Sequence, residues 1–160
     1  MSRLQGEGGS GGVVAVRLTV SAEADVPAER LFSVMTDWPR HREWMVLTDA
    51  RVTEGDGRGV GSRLSAFTGV GPVGFTDTME ITAFAAGSMV EVRHTGALVR
   101  GGGVFRVSPL PGGRSRVEWV EDLELPFGAV GRVGWVVARP VMAAALKVSL
   151  ERLARLAARG

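Results

Sequence analysis

The sequence predicts an α+β domain in which a curved, seven-stranded antiparallel sheet wraps around one long C-terminal helix, with two short helices after the first strand. Three observations carry this. Residues 13–24 alternate and are rich in β-branched side chains. Residues 49–125 break into six strand-like segments separated by turn residues. After Pro126 the apolar period becomes helical and stays so to the end.

The chain has 160 residues, 45% of them hydrophobic and 22% charged. That length suits one domain with a real core, and the composition is ordinary for a globular protein. Residues 1–12 (with GEGGSGG) read as a flexible Gly/Ser-rich tail, so the domain spans 13–160. The first strand, VVAVRLTVSAEA, leads into DVPAERLFSVMTD. Pro27 suits a first helical turn, and Leu31, Phe32 and Met35 follow at helical spacing. A second short helix is expected from Pro39 to Met45, carrying Trp44.

The next strands are expected at 49–54, 62–69, 74–84, 88–95, 103–109 and 115–125. EGDGRG, GVGP, AAG, the glycines at 101–103 and PGG mark the breaks. Short connections between consecutive strands predict a meander. In the last helix, Val133, Val137, Val141, Ala144 and Val148 form one stripe, and Met142, Leu146, Leu150 and Leu153 its neighbour. Two adjoining stripes predict a broad face laid in the concave sheet. Pro140 is expected to kink the helix by removing the bond to Val136.

Composition excludes several chemistries. With no cysteine there is no disulfide, thiolate site or cysteine nucleophile, and no tyrosine can serve as a general acid. Two histidines, His41 and His94, do not make a histidine-rich metal site, and no cofactor is expected. GDGRGVG joins two strands and opens no helix, which is wrong for a phosphate loop. Ser65, Ser88 and Ser149 lack a nucleophile-elbow context. The net charge is +2, yet from Gly128 onward there are six basic residues and one acid. Those basic residues lack interleaved exposed aromatics, so nucleic acid is not the expected partner; the expected reading is a solvated outer helix face, with contact to an anionic partner or membrane surface as the alternative. Neither a signal peptide nor a transmembrane run is legible, which makes a cytoplasmic location the default expectation. The oligomeric state is not legible.

Strand alternation assigns faces. Phe75, Asp77, Met79, Ile81 and Ala83 share one face of their strand. Val90, Val92 and His94 share another, and Val117, Trp119, Glu121 and Leu123 a third. Tight hairpins would set His94 opposite Asp77 or Met79, Phe105 opposite Trp119, and Gly103 opposite Glu121. Three ionisable groups, Asp77, His94 and Glu121, therefore intrude on apolar faces. A histidine between carboxylates inside a low-dielectric cup can move a proton near neutral pH. Trp44, Met45, Phe75, Met79, Phe105, Trp119 and Met142 are the expected walls of a cavity, with Gly101–Gly103 leaving room beside it.

The segments VSAEADVPAERLFSVMTDWPRHREWM, GFTDTMEITAF, VEVRHTG, VEWVEDLELP and GAVGRVGWVVARPVMAAALKVSLERLARLA carry a family likeness. Over roughly residues 15–158 the chain resembles the START-related lipid-transfer (SRPBCC) superfamily, and within it the polyketide cyclase/dehydrase-like group. The resemblance implies a helix-grip fold and a pocket for a hydrophobic or amphipathic molecule of polyketide, lipid, sterol or quinone class. It also implies an enzyme alternative, an aromatase/cyclase-type activity using His94 and Glu121 for proton transfer. A third expectation is a macromolecular interaction protein using the basic C-terminal helix.

Overall fold

A computed structural model describes residues 12–160. The Gly/Ser-rich stretch 1–12 lies, except for Gly12, outside the described residues. The element order is β1 (Val14–Ala24), α1 (Ala28–Met35), a 3-10 turn (Trp38–Arg40), α2 (His41–Trp44), β2 (Thr48–Glu54), β3 (Arg63–Val70), β4 (Val73–Ala85), β5 (Met89–His94), β6 (Gly101–Leu110), β7 (Arg114–Leu125) and α3 (Gly128–Ala158). The seven strands form one antiparallel sheet in the order β1-β7-β6-β5-β4-β3-β2. Strands β2 to β7 are thus a meander, and β1 adds beside β7.

Local chemistry explains the short elements. Pro27 needs no amide partner at a helix start, and its carbonyl accepts the N–H groups of Arg30 and Leu31. Thr36 closes α1 by donating its hydroxyl to the Phe32 carbonyl at 2.9 Å. The indole N–H of Trp38 donates to the Gly57 carbonyl at 2.8 Å and ties the 3-10 turn to the β2–β3 connection.

The core lies between the concave sheet face and the C-terminal half of α3. Leu31, Met35, Leu64, Ile81, Leu150 and Leu153 are fully buried there. Burying a Leu or Ile side chain contributes about 1.5–3 kcal/mol, so these contacts hold the helix in the grip.

Two expectations need correction. The first concerns β4, which carries a bulge at Thr82: Ile81 pairs with Val92, but Ala83 pairs with Glu91 and Phe84 with Val90. An extra residue flips the alternation that follows it. Phe84, not Ala83, therefore turns inward, where it meets Phe32 edge-on at 5.6 Å.

The second concerns α3. Of the two stripes, only Met142, Leu146, Leu150 and Leu153 faces the core. Val133, Val137 and Val141 are exposed, and Ala144 and Val148 with them. The sheet covers only one side of the helix, and only over its C-terminal half. Pro140 sits inside α3, which continues through it to Ala158.

Candidate functional site

A cavity of about 480 Å³ lies between the inner sheet face and α3, within the range of small-molecule sites. Its floor is Leu64, Ala66, Val92 and Phe105, its far wall Met142 and Leu146 of α3. Leu98 of the β5–β6 connection and Pro126 border it as well. The wall is mostly apolar, so the polar side chains it contains stand out.

Three of these form one cluster. His94 pairs across the hairpin with Met79, and Asp77, two residues along β4 on the same face, reaches its ring diagonally. His94 Nδ1–H donates to Asp77 Oδ2 at 2.5 Å, and Nε2–H donates to Glu121 Oε2 at 3.2 Å. Both ring nitrogens face carboxylate oxygens, an arrangement the doubly protonated imidazolium satisfies by donating at each. The pKa follows. Burial opposes the charge, but the hydrogen bonds to Asp77 and Glu121, together with their charges, outweigh it and raise His94 to about 9.

The cluster is buttressed from β7. Trp119 Nε1–H donates to Glu121 Oε1 at 2.6 Å, and the indole packs on Phe105 with centroids 4.5 Å apart. Gly103 sits opposite Glu121, where a Cβ would come within 2.7 Å of Oε1. The glycine is what lets the carboxylate lie flat against β6. Asp77 Oδ1 is buried and has no hydrogen-bond partner among the described residues.

The structure brings Asp77, His94 and Glu121 together, and places Met45, Phe75, Met79, Phe105, Trp119 and Met142 on the cavity wall. Phe75 is 40% exposed and sits at the edge. Trp44 is the exception. It is fully buried in the core behind the wall and touches Phe105 edge-on at 6.4 Å. The short α2 turns its indole away from the cavity and leaves its neighbours His41 and Met45 to line it.

The chain from residue 15 to residue 158 matches the family model described as polyketide cyclase / dehydrase and lipid transport. The chain belongs to this family. Among solved structures, the aromatase/cyclase Zhui from Streptomyces sp. R1128 is 16% identical with a TM-score of 0.74, covering 91% of this chain and 95% of that one. TTHA0849 from Thermus thermophilus is 14% identical with a TM-score of 0.75, covering 90% and 98%. Norcoclaurine synthase from Thalictrum flavum, solved with dopamine and hydroxybenzaldehyde, is 15% identical with a TM-score of 0.67, covering 99% and 96%. At such identities these likenesses show the fold alone, the helix-grip fold of the SRPBCC superfamily. No curated protein matches by sequence. Membership in the polyketide cyclase/dehydrase and lipid-transport family supports a ligand-binding or cyclase role in general.

Among the wall residues of this family member that the sequence did not single out, His41 and Ser149 are buried polar groups. His41 is buried, and its Nε2–H donates to the Met35 carbonyl at 2.7 Å. That fixes the tautomer and leaves Nδ1 as an acceptor, 3.1 Å from the Met45 sulfur. Burial lowers its pKa to about 4, against the opposing pull of the Met35 hydrogen bond and the Asp49 charge. The one available signal was the HREWM spacing, which sets His41 and Met45 one helical turn apart. Ser149 accepts the Val46 N–H at 2.9 Å and donates to the Ala145 carbonyl, pinning α3 to the chain after α2. It lies beyond a proline in a long helix and carried no signal.

Proposed function

We propose that this domain binds a small, largely hydrophobic molecule between the sheet and α3, with the Asp77–His94–Glu121 cluster orienting its polar end. The observation that carries this is a 480 Å³, mostly apolar cavity with one buried charged cluster in its wall. Apolar walls supply affinity, and a few convergent polar groups supply orientation. Two carboxylates around one imidazolium carry a net charge of −1. Such a site favours a ligand end that donates a hydrogen bond, a hydroxyl or enol, and disfavours a carboxylic acid. Among the classes the family suggests, polyketides and sterols carry such groups.

The experiment is native mass spectrometry of the purified protein, followed by denaturing extraction of whatever it retains. A retained hydroxylated polyketide, lipid or sterol supports the reading. An empty protein whose melting temperature fails to move against a panel of hydrophobic ligands sinks it, and turns attention to a macromolecular partner for the basic helix.

A cyclase-type activity is the second reading, favoured by a titratable histidine, His94, held between two carboxylates in the cavity wall. Ring closure of a poly-β-keto chain forms one C–C bond while an α-carbon loses a proton and the attacked carbonyl oxygen gains one. Loss of water then aromatises the ring. His94 would deliver and recover the proton, with Asp77 and Glu121 holding it in place. Turnover lost in His94→Ala, with folding and ligand retention intact, supports this. Undiminished turnover in that variant removes it.

A further inference from the structure

The first half of α3 presents an apolar surface that the domain itself does not cover. Val130, Val133, Val136, Val137 and Val141 are each between 69% and 74% exposed. At about 100° per residue they fall within an arc of about 140°, directly opposite the core-facing Met142 and Leu146. Further along the helix the same outer arc carries Lys147, Glu151 and Arg155, with Val148, at 38% exposed, the one valine left among them. The outer face thus changes from valine to charge near Val141. A solvated helix face has no use for five valines where its continuation carries ions.

The charge around this patch has one sign. Between Glu124 and Glu151 there is no acidic residue, while Arg132 and Arg139 border the valine arc. Neither arginine has an ion-pair partner among the described residues. Packing against a second copy of the chain would bring these uncompensated arginines together. An anionic surface neutralises them.

The patch also adjoins the cavity. Leu98, 75% exposed, and Pro126 line it, and Phe127, 77% exposed, follows directly and leads into α3. We propose that the valine face of α3, with Phe127 and the flanking arginines, docks this domain on an anionic lipid bilayer, the helix lying in the headgroup region.

Lying, rather than spanning, follows from the fold. By length and composition α3 could cross a membrane, with mean hydropathy 1.4 over its most apolar window. Yet Leu150, Leu153, Ala154 and Ala157 are locked in the core. The free portion, Gly128–Val141, is about 21 Å long at the helical rise, short of a hydrocarbon core of about 30 Å.

The test uses the whole chain and vesicles without any cavity ligand, so its result is independent of the ligand-binding reading. The chain has no native cysteine, which makes single-site labelling clean. Val137→Cys and, on the outer sheet face, Glu118→Cys carry an environment-sensitive dye. With vesicles of phosphatidylcholine and phosphatidylserine, the probe at 137 shifts to the blue and the probe at 118 does not. In co-sedimentation, Val133→Ser/Val137→Ser and Arg132→Glu/Arg139→Glu each weaken association at least fivefold. Vesicles of phosphatidylcholine alone bind less. Wild-type protein that ignores anionic vesicles, or double variants that bind as wild type does, overturns the proposal. So does a concentration-dependent dimer in sedimentation that Val133→Ser/Val137→Ser dissociates, which would assign the face to a second copy.

Discussion

Trp119 and Glu121 lie two residues apart on the inner face of β7, and the indole N–H of one holds an oxygen of the other at 2.6 Å. The second oxygen of Glu121 receives His94. Glu121 is thus held from two strands, and His94 takes its protonation from groups that are themselves fixed.

Removing either carboxylate charge lowers the His94 pKa. Asp77 makes the stronger of the two hydrogen bonds that raise it. Asp77→Asn and Glu121→Gln should therefore each bring the pKa down from about 9 toward the ordinary 6.5, since Glu121 in turn contributes the larger charge effect. An NMR titration of the His94 ring decides it; a pKa unmoved in both variants would contradict the paired-carboxylate account.

The two histidines impose opposite pH dependences on stability. His94 is raised to about 9, so its contribution is complete below pH 6.5 and is lost as pH rises through 9. His41 is lowered to about 4, so the unfolded chain binds the proton more readily and stability falls as pH drops from 6.5 through 4. Melting temperature should peak near pH 6.5. His94→Gln should flatten the alkaline limb and leave the acid limb intact. The alkaline loss is on the order of 1–2 kcal/mol, one pKa unit being about 1.4 kcal/mol before screening is allowed for.

Gly103→Ala should fold but disturb the cluster. Its Cβ would press on Glu121 Oε1, the far end of a side chain, and the carboxylate would have to leave Trp119. The expected cost is about 1–2 kcal/mol, together with weaker ligand retention. Gly134→Ala on α3 is the counterpart: nothing lies within 4 Å of its Cβ, and helix propensity should stabilise by about 0.5–1 kcal/mol. Denaturant melts of both variants check the contrast.

The two stripes of α3 should respond very differently to truncation. Leu150→Ala should cost about 2–5 kcal/mol, because the side chain is fully buried. Val133→Ala should stay within about 0.5 kcal/mol, being 69% exposed. Equal losses at both positions would mean that the valine face is packed after all.

Ala145→Phe offers a further check on the cavity. Ala145 lines it from α3, whereas the charged cluster sits on β4, β5 and β7, so a phenyl ring there should fill space and abolish ligand retention while leaving the His94 titration unchanged. Retention equal to wild type would place the ligand elsewhere.

The strands were legible because each has turn residues at its ends and a solvated outer face that enforces alternation. Register followed from the tight hairpins, which is why Phe105–Trp119 and Gly103–Glu121 could be paired in advance. The bulge at Thr82 was not legible, since a bulge leaves no mark in hydropathy when Ala83 and Phe84 are both apolar. The inward face of α3 was ambiguous for a related reason. Valine and leucine stripes count alike in periodicity, and only the limited reach of the sheet separates them. Trp44 was misplaced because a four-residue helix has no periodicity with which to choose a face. His41 was missed because its environment is built by Met35, Trp38 and Met45, which meet only in the folded chain.

The position of β1 in the sheet governs how the chain must fold. Val14 pairs with Leu125 and Ala24 with Ser115, so the first strand formed has its neighbour in the last. During synthesis β1 stays an unpaired, β-branched edge until about a hundred further residues have emerged. The hairpins of β2 to β7 can form in order, each from local contacts, but the grip closes only when β1 returns to β7. Closing so long a loop is slow, and the waiting strand is exposed to mispairing throughout. Refolding at high concentration should therefore lose material to aggregation before that pairing forms, and a circular permutant that links the end of α3 to β1 and opens the chain between β1 and α1, leaving only α3 between β7 and β1, should refold faster.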